Sequence, residues 1–478
     1  MDGTLHLGSK TGCSQRRGSD LSKKISPAKQ LFREREIAFK ILLKALGPQK
    51  ANLHESLAQA EGKFGIEGSA KGLLRQLVLG VVQWKARLEW IVASHFSGFY
   101  KAPLPVRVLM LMGAYQIVML DRIPFYAAVN ETVKLFTSNL APTRYKPILN
   151  GVLREIARAP YPHVGGIKTL EDAISVAYSH PRWLVRRWLK RFGAKETVAL
   201  CRANCHKAPF SIRVNTKKIT PKDLRKLMRE LDVECMLHPV SPEMLIVLTP
   251  VDISKIPPFQ NGLFLPQDLS SWLVPVILDP RPGDGVLDCC AAPGIKTTQM
   301  VSMMGGEGEI LAVERDEGRF EALAETCSRW GADIVRMVRG DIREVAPQFS
   351  DRKFKRVLVD APCSDLGVIR RHPEIRWRRK SSDLKVYAQA QLEILTAVAP
   401  LVEEGGILVY SVCSTEPEEG EQVISKFLKK EPRFVLDKII PFLPDEVVEK
   451  GRVGEGTLFL APHLLNTDGF FIARLKRE

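Results

Sequence analysis

The chain has 478 residues, too many for one ordinary domain, and its length favours two to four domains. A hydrophobic content of 45% and a charged content of 26% are globular values, which argues against wholesale disorder. The net charge of +16 favours a polyanionic partner, although many basic proteins bind no nucleic acid.

The N-terminal residues 1–29 are polar and basic, and they predict a flexible tail for which a passive role is favoured over RNA contact. This stretch lacks the apolar segment of a secretion signal, and no apolar run approaches the roughly 18 residues of a membrane-spanning helix. The nine cysteines form no secreted-type framework, so a reduced cytoplasm is the simplest compartment. We therefore expect a cytoplasmic protein with no membrane partner.

Residues 30–165 are predicted to form an all-α domain. In its first helix apolar residues such as Ile37 and Ile41 recur at helical spacing, and Gly47 with Pro48 ends the run. Further amphipathic stretches follow, and no alternating strand pattern interrupts them.

Residues 166–257 change character and predict a small α/β connector. The stretch begins with a basic amphipathic helix, HPRWLVRRWLKRFG, and a second helix that ends near His206. Two short strand candidates then flank the helix PKDLRKLMREL, and they read FSIRVN and MLIVLT.

Residues 258–478 alternate strand and helix patterns. Such alternation predicts βαβ units in a parallel, doubly wound, Rossmann-like sheet, with room for a late antiparallel strand. In open sheets of this kind a ligand lies past the carboxyl ends of the strands. The candidate strands are GVLDC, EILAVE, DIVRMV, RVLVD, GILVYSV, RFVLD and GFFIARL.

The first of these strands leads into DCCAAPGIKT at residues 288–297. Small residues at a strand-to-helix turn let a ligand approach the backbone, and the spacing matches neither a P-loop nor the dinucleotide fingerprint. Glu314, Asp341 and Asp360 end the next three strands, where carboxylates can accept hydrogen bonds from ribose or adenine. Singly, each acid is more often a helix cap; together they predict a nucleoside-containing ligand without phosphates, whose carboxylate Lys296 can meet.

Two cysteines follow strand ends, Cys363 in DAPCS and Cys413 in YSVCST. Burial as inert thiols is the commonest fate of free cysteine, but a thiol beside a polar loop and a cofactor cleft suits nucleophilic work. Cytosine C5 needs such help, because a thiolate that adds at C6 turns C5 into an enamine carbon able to take a methyl group. A carboxyl such as Asp360 can hydrogen-bond the N3/N4 edge of a base that has left its stack.

Five segments resemble the RNA cytosine-C5 methyltransferases of the Nol/Nop/Sun family, and within it the bacterial Sun subgroup. They are LPQDLSS at 265–271, CCAAPGIKT at 289–297, DAPCSDLGVIRRHPEIRW at 360–377, YSVCSTEPEE at 410–419 and DGFFIARL at 468–475. The N-terminal segments RIPFYAAVNETVKL and NGVLREIAR are similar to the NusB-like RNA-binding domain, which supports the Sun subgroup.

The resemblance implies a multidomain enzyme with a NusB-like all-α domain, a connector and a class I methyltransferase domain. We expect a monomer that transfers a methyl group from S-adenosyl-L-methionine to C5 of a cytosine in 16S ribosomal RNA. By resemblance, Cys413 is the nucleophile at C6 and Cys363 assists release of the product. The implied cofactor site comprises Cys290, Ala291, Ala292, Pro293, Gly294, Ile295, Lys296, Glu314, Asp341 and Asp360.

Three features depart from the family pattern. Ile295 replaces the second glycine of PGGKT, so the loop must hold an ordinary backbone conformation there or bind cofactor less well. Asp365 and Leu366 fill positions that usually read GT or AT, which adds charge near the target base. Glu314 stands where aspartate is usual. None of these changes removes a catalytic group, so activity is expected.

A dense basic run follows Cys363, and we predict RNA contact for its members Arg370, Arg371, His372 and Arg376. Its other basic residues are Arg378, Arg379 and Lys380, and Trp377 lies among them. A second candidate is the helix with Arg182, Arg186, Arg187, Lys190 and Arg191, where a solvated face is equally favoured.

A metal site is not predicted, because Cys201, Cys205 and His206 supply only three candidate ligands with no second CxxC pair. Two other functions stay open. The first is a transfer RNA cytosine methyltransferase with the same chemistry. The second is a non-catalytic RNA-binding or assembly factor that has lost cofactor affinity through Ile295.

Overall fold

The computed structural model describes residues 27–49, 51–161 and 167–478. The predicted tail, residues 1–29, lies outside this part up to residue 26, and the first helix begins at Pro27. Within the described residues, none of the helices combines the length and apolarity that crossing a membrane requires.

The N-terminal domain is all-α, as predicted, and its described residues form seven α-helices. The fifth helix is apolar on all sides and is buried at the centre of the bundle, where it contacts the first, third, fourth, sixth and seventh. The first helix ends at Leu46, directly before the predicted stop at Gly47. The helices are α1 (Pro27–Leu46), α2 (Leu53–Phe64), α3 (Gly68–Gln83), α4 (Lys85–His95), α5 (Leu104–Met119), α6 (Phe125–Lys134) and α7 (Tyr145–Arg158).

A small antiparallel sheet forms the connector, and its strand order is β2-β3-β1-β4. Its fourth strand comes from beyond residue 257. The helix predicted from HPRWLVRRWLKRFG and its successor are joined at Gly193, whose φ of 76° breaks the helical conformation. The elements are α8 (Leu170–Ala177), α9 (Arg182–Ala203), β1 (Phe210–Val214), α10 (Pro221–Glu230), β2 (Cys235–Leu237), β3 (Met244–Val247), α11 (Pro257–Gln260) and β4 (Phe264–Pro266).

The C-terminal domain is a nine-stranded mixed sheet with helices on both faces. Its first part contains α12 (Leu269–Leu278), β5 (Gly285–Asp288), α13 (Ile295–Met303), β6 (Glu309–Glu314), α14 (Glu317–Trp330), β7 (Val335–Arg339), α15 (Ile342–Val345) and β8 (Phe354–Asp360). Its second part contains α16 (Ile375–Arg378), α17 (Ser381–Val398), β9 (Val402–Val412), α18 (Glu421–Lys430), β10 (Phe434–Leu436), α19 (Asp445–Lys450), β11 (Arg452–Val453), β12 (Thr457–Leu460), α20 (Pro462–Leu465) and β13 (Phe470–Arg477).

The strand order of this sheet is β11-β12-β13-β9-β8-β5-β6-β7, and β10 pairs with β13. Strands β5 to β9 are parallel to one another. Strand β13 is antiparallel to β9, which confirms the predicted late antiparallel strand. The unpredicted β11 and β12 have two and four residues, too few for a periodic pattern to register. Because β5, β6, β8 and β9 are parallel, the segments after them meet at one edge of the sheet.

The basic run after Cys363 contacts the helical domain from the C-terminal domain. The indole nitrogen of Trp377 donates to the carbonyl oxygen of Val82 at 2.7 Å, and Lys85 lies 4.9 Å from the centre of the indole ring. Arg378 donates to the carbonyl oxygen of Ala51. Most of this run is therefore a contact between domains.

The prediction of RNA contact is wrong for Arg376 and Arg370. Arg376 has no exposed surface, and its guanidinium donates to the carbonyl oxygens of Ser179 and Asn204 at 3.0 and 3.3 Å. The Arg370 side chain is 1% exposed and pairs with Asp468 at 3.3 Å. Guanidinium groups that are buried and donate to partners within the protein are not available to phosphates.

Candidate active site

The two predicted cysteines meet at the edge where β8 and β9 end. Cys363 Sγ lies 3.1 Å from Cys413 Sγ, although the residues are 50 positions apart. Cys363 is 5% exposed, whereas Cys413 is partly exposed. Parallel pairing of β8 with β9 explains the convergence, because it places the segments that follow both strands side by side.

A carboxylate accompanies the two thiols. The Cys413 thiol donates to Asp365 Oδ1 at 3.2 Å, and Arg379 donates to Asp365 Oδ2 at 3.0 Å. The hydrogen bond with Cys363 lowers the pKa of Cys413, but burial and the charges of Asp365 and Asp360 outweigh it and raise the pKa to about 11. The hydrogen bond with Cys413, together with burial, raises the pKa of Cys363 well above its ordinary value. In both residues burial disfavours the thiolate form.

Glu419 ties the two cysteine loops together. Its carboxylate accepts from the Ser364 backbone N–H at 2.7 Å and from the Ser414 hydroxyl at 2.6 Å. The Tyr410 hydroxyl also donates to the Glu419 carbonyl oxygen at 2.6 Å. Ser364 follows Cys363 and Ser414 follows Cys413, so this buried carboxylate holds the two cysteine loops next to each other.

The basic helix α9 supports the Cys413 loop. Trp188 donates its indole N–H to Glu416 Oε1 at 2.9 Å, and Arg187 donates to Glu416 Oε2 at 2.8 Å. Arg191 donates to the Thr415 carbonyl oxygen and, at 2.9 Å, to Glu421. Two basic residues of this helix, Arg187 and Arg191, thus stabilise the loop that follows Cys413. RNA contact by its exposed members stays a prediction.

The segment after β5 forms a turn of small residues that leads into α13, as predicted. Gly294 has a φ of 93°, and a Cβ there would lie 3.0 Å from Leu323 Cδ1, so glycine suits both the conformation and the space. Ile295 begins α13 and is not among the residues with positive φ in the described chain. The second glycine of the family pattern is therefore not required for this backbone.

A cavity of about 290 Å³ opens beside this turn. It lies at the carboxyl edge of the sheet, as expected for open sheets of this type. Lys296 Nζ lies 2.6 Å from Asp360 Oδ2, and the Ser411 hydroxyl donates to Asp360 Oδ1 at 2.6 Å. Seven predicted cofactor residues line the cavity: Cys290, Ala291, Ala292, Pro293, Ile295, Lys296 and Asp360.

Two of the predicted carboxylates lie outside the lining of that cavity. Glu314 is 4% exposed, and its Oε1 accepts the backbone N–H groups of Arg315 and Asp316, both at 3.0 Å. Its Oε2 forms an ion pair with Arg319 at 3.9 Å. Arg343 engages both oxygens of Asp341, and this hydrogen bonding lowers the pKa of Asp341 to about 2.

Two acidic residues at the cavity had no role assigned from the sequence. Asp268 lies in LPQDLSS and Asp468 in DGFFIARL, and Arg371 bridges them with contacts of 2.7 and 2.6 Å. Burial, helped by the charge of Asp268, raises the pKa of Asp468 to about 6. The two motifs could have pointed to these aspartates in the sequence. Only the packing shows that Arg371 contacts both of them at the cavity. His372 packs against His54 with ring centres 4.7 Å apart, and RNA contact by it and by Arg371 stays a prediction.

Three family models match the chain. They are 16S rRNA methyltransferase RsmB/F over residues 275–476, the NusB family over residues 33–158, and the Methyltr_RsmF/B-like, ferredoxin-like domain over residues 180–254. The order of these matches agrees with the order of the helical domain, the connector and the large sheet.

Two curated relatives match nearly the whole chain. The probable ribosomal RNA small subunit methyltransferase B of Bacillus subtilis (strain 168) is 32% identical over 445 residues, 93% of this chain and 98% of that protein. The ribosomal RNA small subunit methyltransferase B of Yersinia pestis bv. Antiqua (strain Angola) is 32% identical over 456 residues, 94% of this chain and 100% of that protein.

Solved structures share the fold. The crystal structure of PH0851 has a TM-score of 0.78 and 26% identity, and the match covers 94% of this chain and 99% of that chain. A methyltransferase homolog protein from Pyrococcus horikoshii has a TM-score of 0.56 and 29% identity, and the match covers 65% of this chain and 100% of that chain.

Proposed function

Because the chain belongs to the 16S rRNA methyltransferase RsmB/F family, we propose that it methylates C5 of a cytosine in 16S ribosomal RNA, using S-adenosyl-L-methionine. The observation that carries this proposal is the pair of thiols 3.1 Å apart after β8 and β9, where Asp360 at the end of β8 lines the cavity beside the turn into α13. Family membership supports an RNA methyltransferase, and the thiols support the covalent route to C5.

Cys413 is the proposed nucleophile. Its side chain is partly exposed, whereas Cys363 is buried, so Cys413 is the thiol that a base can reach. The Cys413 thiolate bonds to C6 of a flipped cytosine, and the electron pair of the C5–C6 double bond moves toward N3. Asp360, held by Lys296 and Ser411, hydrogen-bonds the N3/N4 edge and favours protonation of N3 as the thiolate adds.

The cavity residues suit a methyl donor of the nucleoside sulfonium class. When bound, S-adenosyl-L-methionine supplies an electrophilic methyl group on a positively charged sulfur. The alanines at 291 and 292 would leave the backbone open to the ligand, and Lys296 would meet its carboxylate. Glu314, at the end of β6, would accept a hydrogen bond from a ribose hydroxyl. Loss of the C5 proton then returns the bonding pair to the ring and breaks the bond from C6 to Cys413. Cys363 assists this release.

Replacement of the two cysteines separately tests the mechanism. We expect Cys413→Ala to abolish methyl transfer to 16S ribosomal RNA while RNA binding survives, because only the C6 nucleophile is lost. We expect Cys363→Ala to accumulate a protein–RNA adduct, visible as a retarded band on a denaturing gel. Full turnover by Cys413→Ala, measured with a radiolabelled methyl donor, would overturn the proposed mechanism.

The substrate is tested by bisulfite sequencing of ribosomal and transfer RNA from a strain that lacks this protein. We expect loss of one 5-methylcytosine in 16S ribosomal RNA and its return when the wild-type chain is supplied. A lost site in transfer RNA would instead assign the enzyme to that substrate. Calorimetry with S-adenosyl-L-methionine tests for a non-catalytic factor, since such a protein would bind no cofactor.

A further inference from the structure

Three ligand atoms for a metal ion meet at the reactive end of the cleft. The Asp365 carboxylate oxygen lies 3.2 Å from Cys413 Sγ and 3.7 Å from Cys363 Sγ, and the two sulfurs are 3.1 Å apart. Among the described residues, these side chains form a group whose ligand atoms all lie within 4.8 Å of one another. Ligand atoms around a tetrahedral zinc ion are about 3.5–3.8 Å apart, so small side-chain adjustments would admit an ion.

We propose that Cys363, Asp365 and Cys413 form a Zn²⁺ site in the RNA-free protein. Two thiolates and a carboxylate are zinc ligands, whereas Mg²⁺ and Ca²⁺ prefer oxygen ligands throughout. The site lies away from Cys201, Cys205 and His206, the group considered from the sequence. Its ligands come from two loops that only the folded sheet brings together.

The backbone and an outer partner hold the Asp365 carboxylate toward the sulfurs. Asp365 has a φ of 61°, a left-handed conformation that few non-glycine residues adopt. Arg379 binds its Oδ2 at 3.0 Å and also donates to the Ser364 carbonyl oxygen at 2.8 Å, so Oδ1 is left for the sulfurs. Metal-binding carboxylates commonly have such an outer hydrogen-bond partner.

Charge and access also suit the ion. Two thiolates and the Asp365 carboxylate carry three negative charges, which Zn²⁺ and the Arg379 guanidinium balance. A site without net charge avoids the cost of burying unpaired ions. The Asp365 side chain is 38% exposed, which leaves an approach for the ion and for water as a fourth ligand.

Bound Zn²⁺ would occupy both sulfurs, and the thiol used at C6 could not add to a base. The ion and the target cytosine therefore exclude each other, so the metal keeps the RNA-free protein inactive and shields its thiols from oxidation. This part of the inference rests on the proposed function. Metal binding itself is measured without RNA, so its failure is distinguishable from a failure of the methylation proposal.

Chelator competition on the full-length chain, reduced with a phosphine, tests the site. We expect one Zn²⁺ per chain and at least about tenfold weaker binding in Asp365→Gly, the lower limit for loss of even an outer partner of a ligand. Glycine suits the φ of 61°, so this variant is expected to fold. Cys205→Ser is the matched control, because Cys205 lies outside the cluster and donates to the Tyr178 carbonyl oxygen.

Two further measurements identify the ligands. Co²⁺ in place of Zn²⁺ is expected to give a sulfur-to-cobalt charge-transfer band that Cys413→Ser weakens and Cys205→Ser leaves unchanged. Zn²⁺ is expected to protect Cys363 and Cys413, but not Cys205, from alkylation mapped by mass spectrometry. Equal affinity in Asp365→Gly and wild type, or alkylation of both thiols at saturating Zn²⁺, would overturn the proposal.

Discussion

Asp288 sits at the floor of the cofactor cavity, 1% exposed, and accepts a hydrogen bond from Thr297 at 2.7 Å. Burial raises its pKa from 3.8 to about 7, because the carboxylate form loses its hydration. The folded protein therefore binds this proton more tightly than the unfolded chain. The resulting stability is fully present below pH 4 and is lost as pH rises through about 7.

Asp288→Asn is expected to stabilise the protein at alkaline pH, because the amide keeps the Thr297 hydrogen bond and carries no charge. A shift of three pKa units corresponds to a gain on the order of 4 kcal/mol at pH 8.5, with little difference at pH 4. Urea unfolding at both pH values measures this. The exposed Asp351→Asn is the control, and a stability difference that does not change with pH would refute the assignment.

At the scale of elements, the turn into α13 shows how the chain accommodates an unusual residue. Ile295 is the first residue of the helix and packs against the core beneath the sheet, while Gly294 alone takes the left-handed conformation of the turn. The side chain thus contributes burial at a position where the family pattern has none.

Ile295→Gly is expected to lower the free energy of unfolding by about 1–2 kcal/mol, from backbone entropy and lost burial. We expect little change in S-adenosyl-L-methionine affinity, because the backbone at this position is already helical. Urea unfolding and calorimetry measure the two effects, with Ile295→Val as a β-branched control. A tenfold gain in affinity in the glycine variant would instead mean that Ile295 obstructs the cofactor.

At the scale of the whole molecule, the segment after Cys363 both shapes the site and connects the domains. Trp377 packs against the core of the helical domain and donates to Val82, and His54 Nε2 lies 3.0 Å from the Arg371 carbonyl oxygen. Since Arg371 also bridges Asp268 and Asp468 at the cavity, the helical domain is linked through this segment to the site.

Trp377→Ala is expected to loosen the helical domain from the catalytic domain, at a cost on the order of 3 kcal/mol. Calorimetry should then resolve two unfolding transitions, and limited proteolysis should release the helical domain sooner. Trp377→Phe keeps the apolar contact, loses only the hydrogen bond to Val82 and is expected to have a smaller effect. A single transition at the wild-type temperature in Trp377→Ala would contradict this role.

The sequence by itself determined the local features of this protein. Periodicity was sufficient for the helical character of residues 30–165 and for the main strands. Residue chemistry was sufficient to single out the turn after β5 and to name Cys363 and Cys413 as reactive candidates. These features depend on neighbours within a few residues, or on alternation along one strand. The local sequence pattern is therefore enough to predict them.

Only the tertiary structure decided what the long-range partners do. The charge of Arg370 and Arg376 suggested RNA, but packing buries both against partners about 100 to 200 positions away. Asp365 meets Cys413 because parallel strands align their ends, and Asp268 meets Asp468 because Arg371 bridges them. A charged side chain takes its role from whatever the fold places beside it, and that placement depends on the packing of the whole chain.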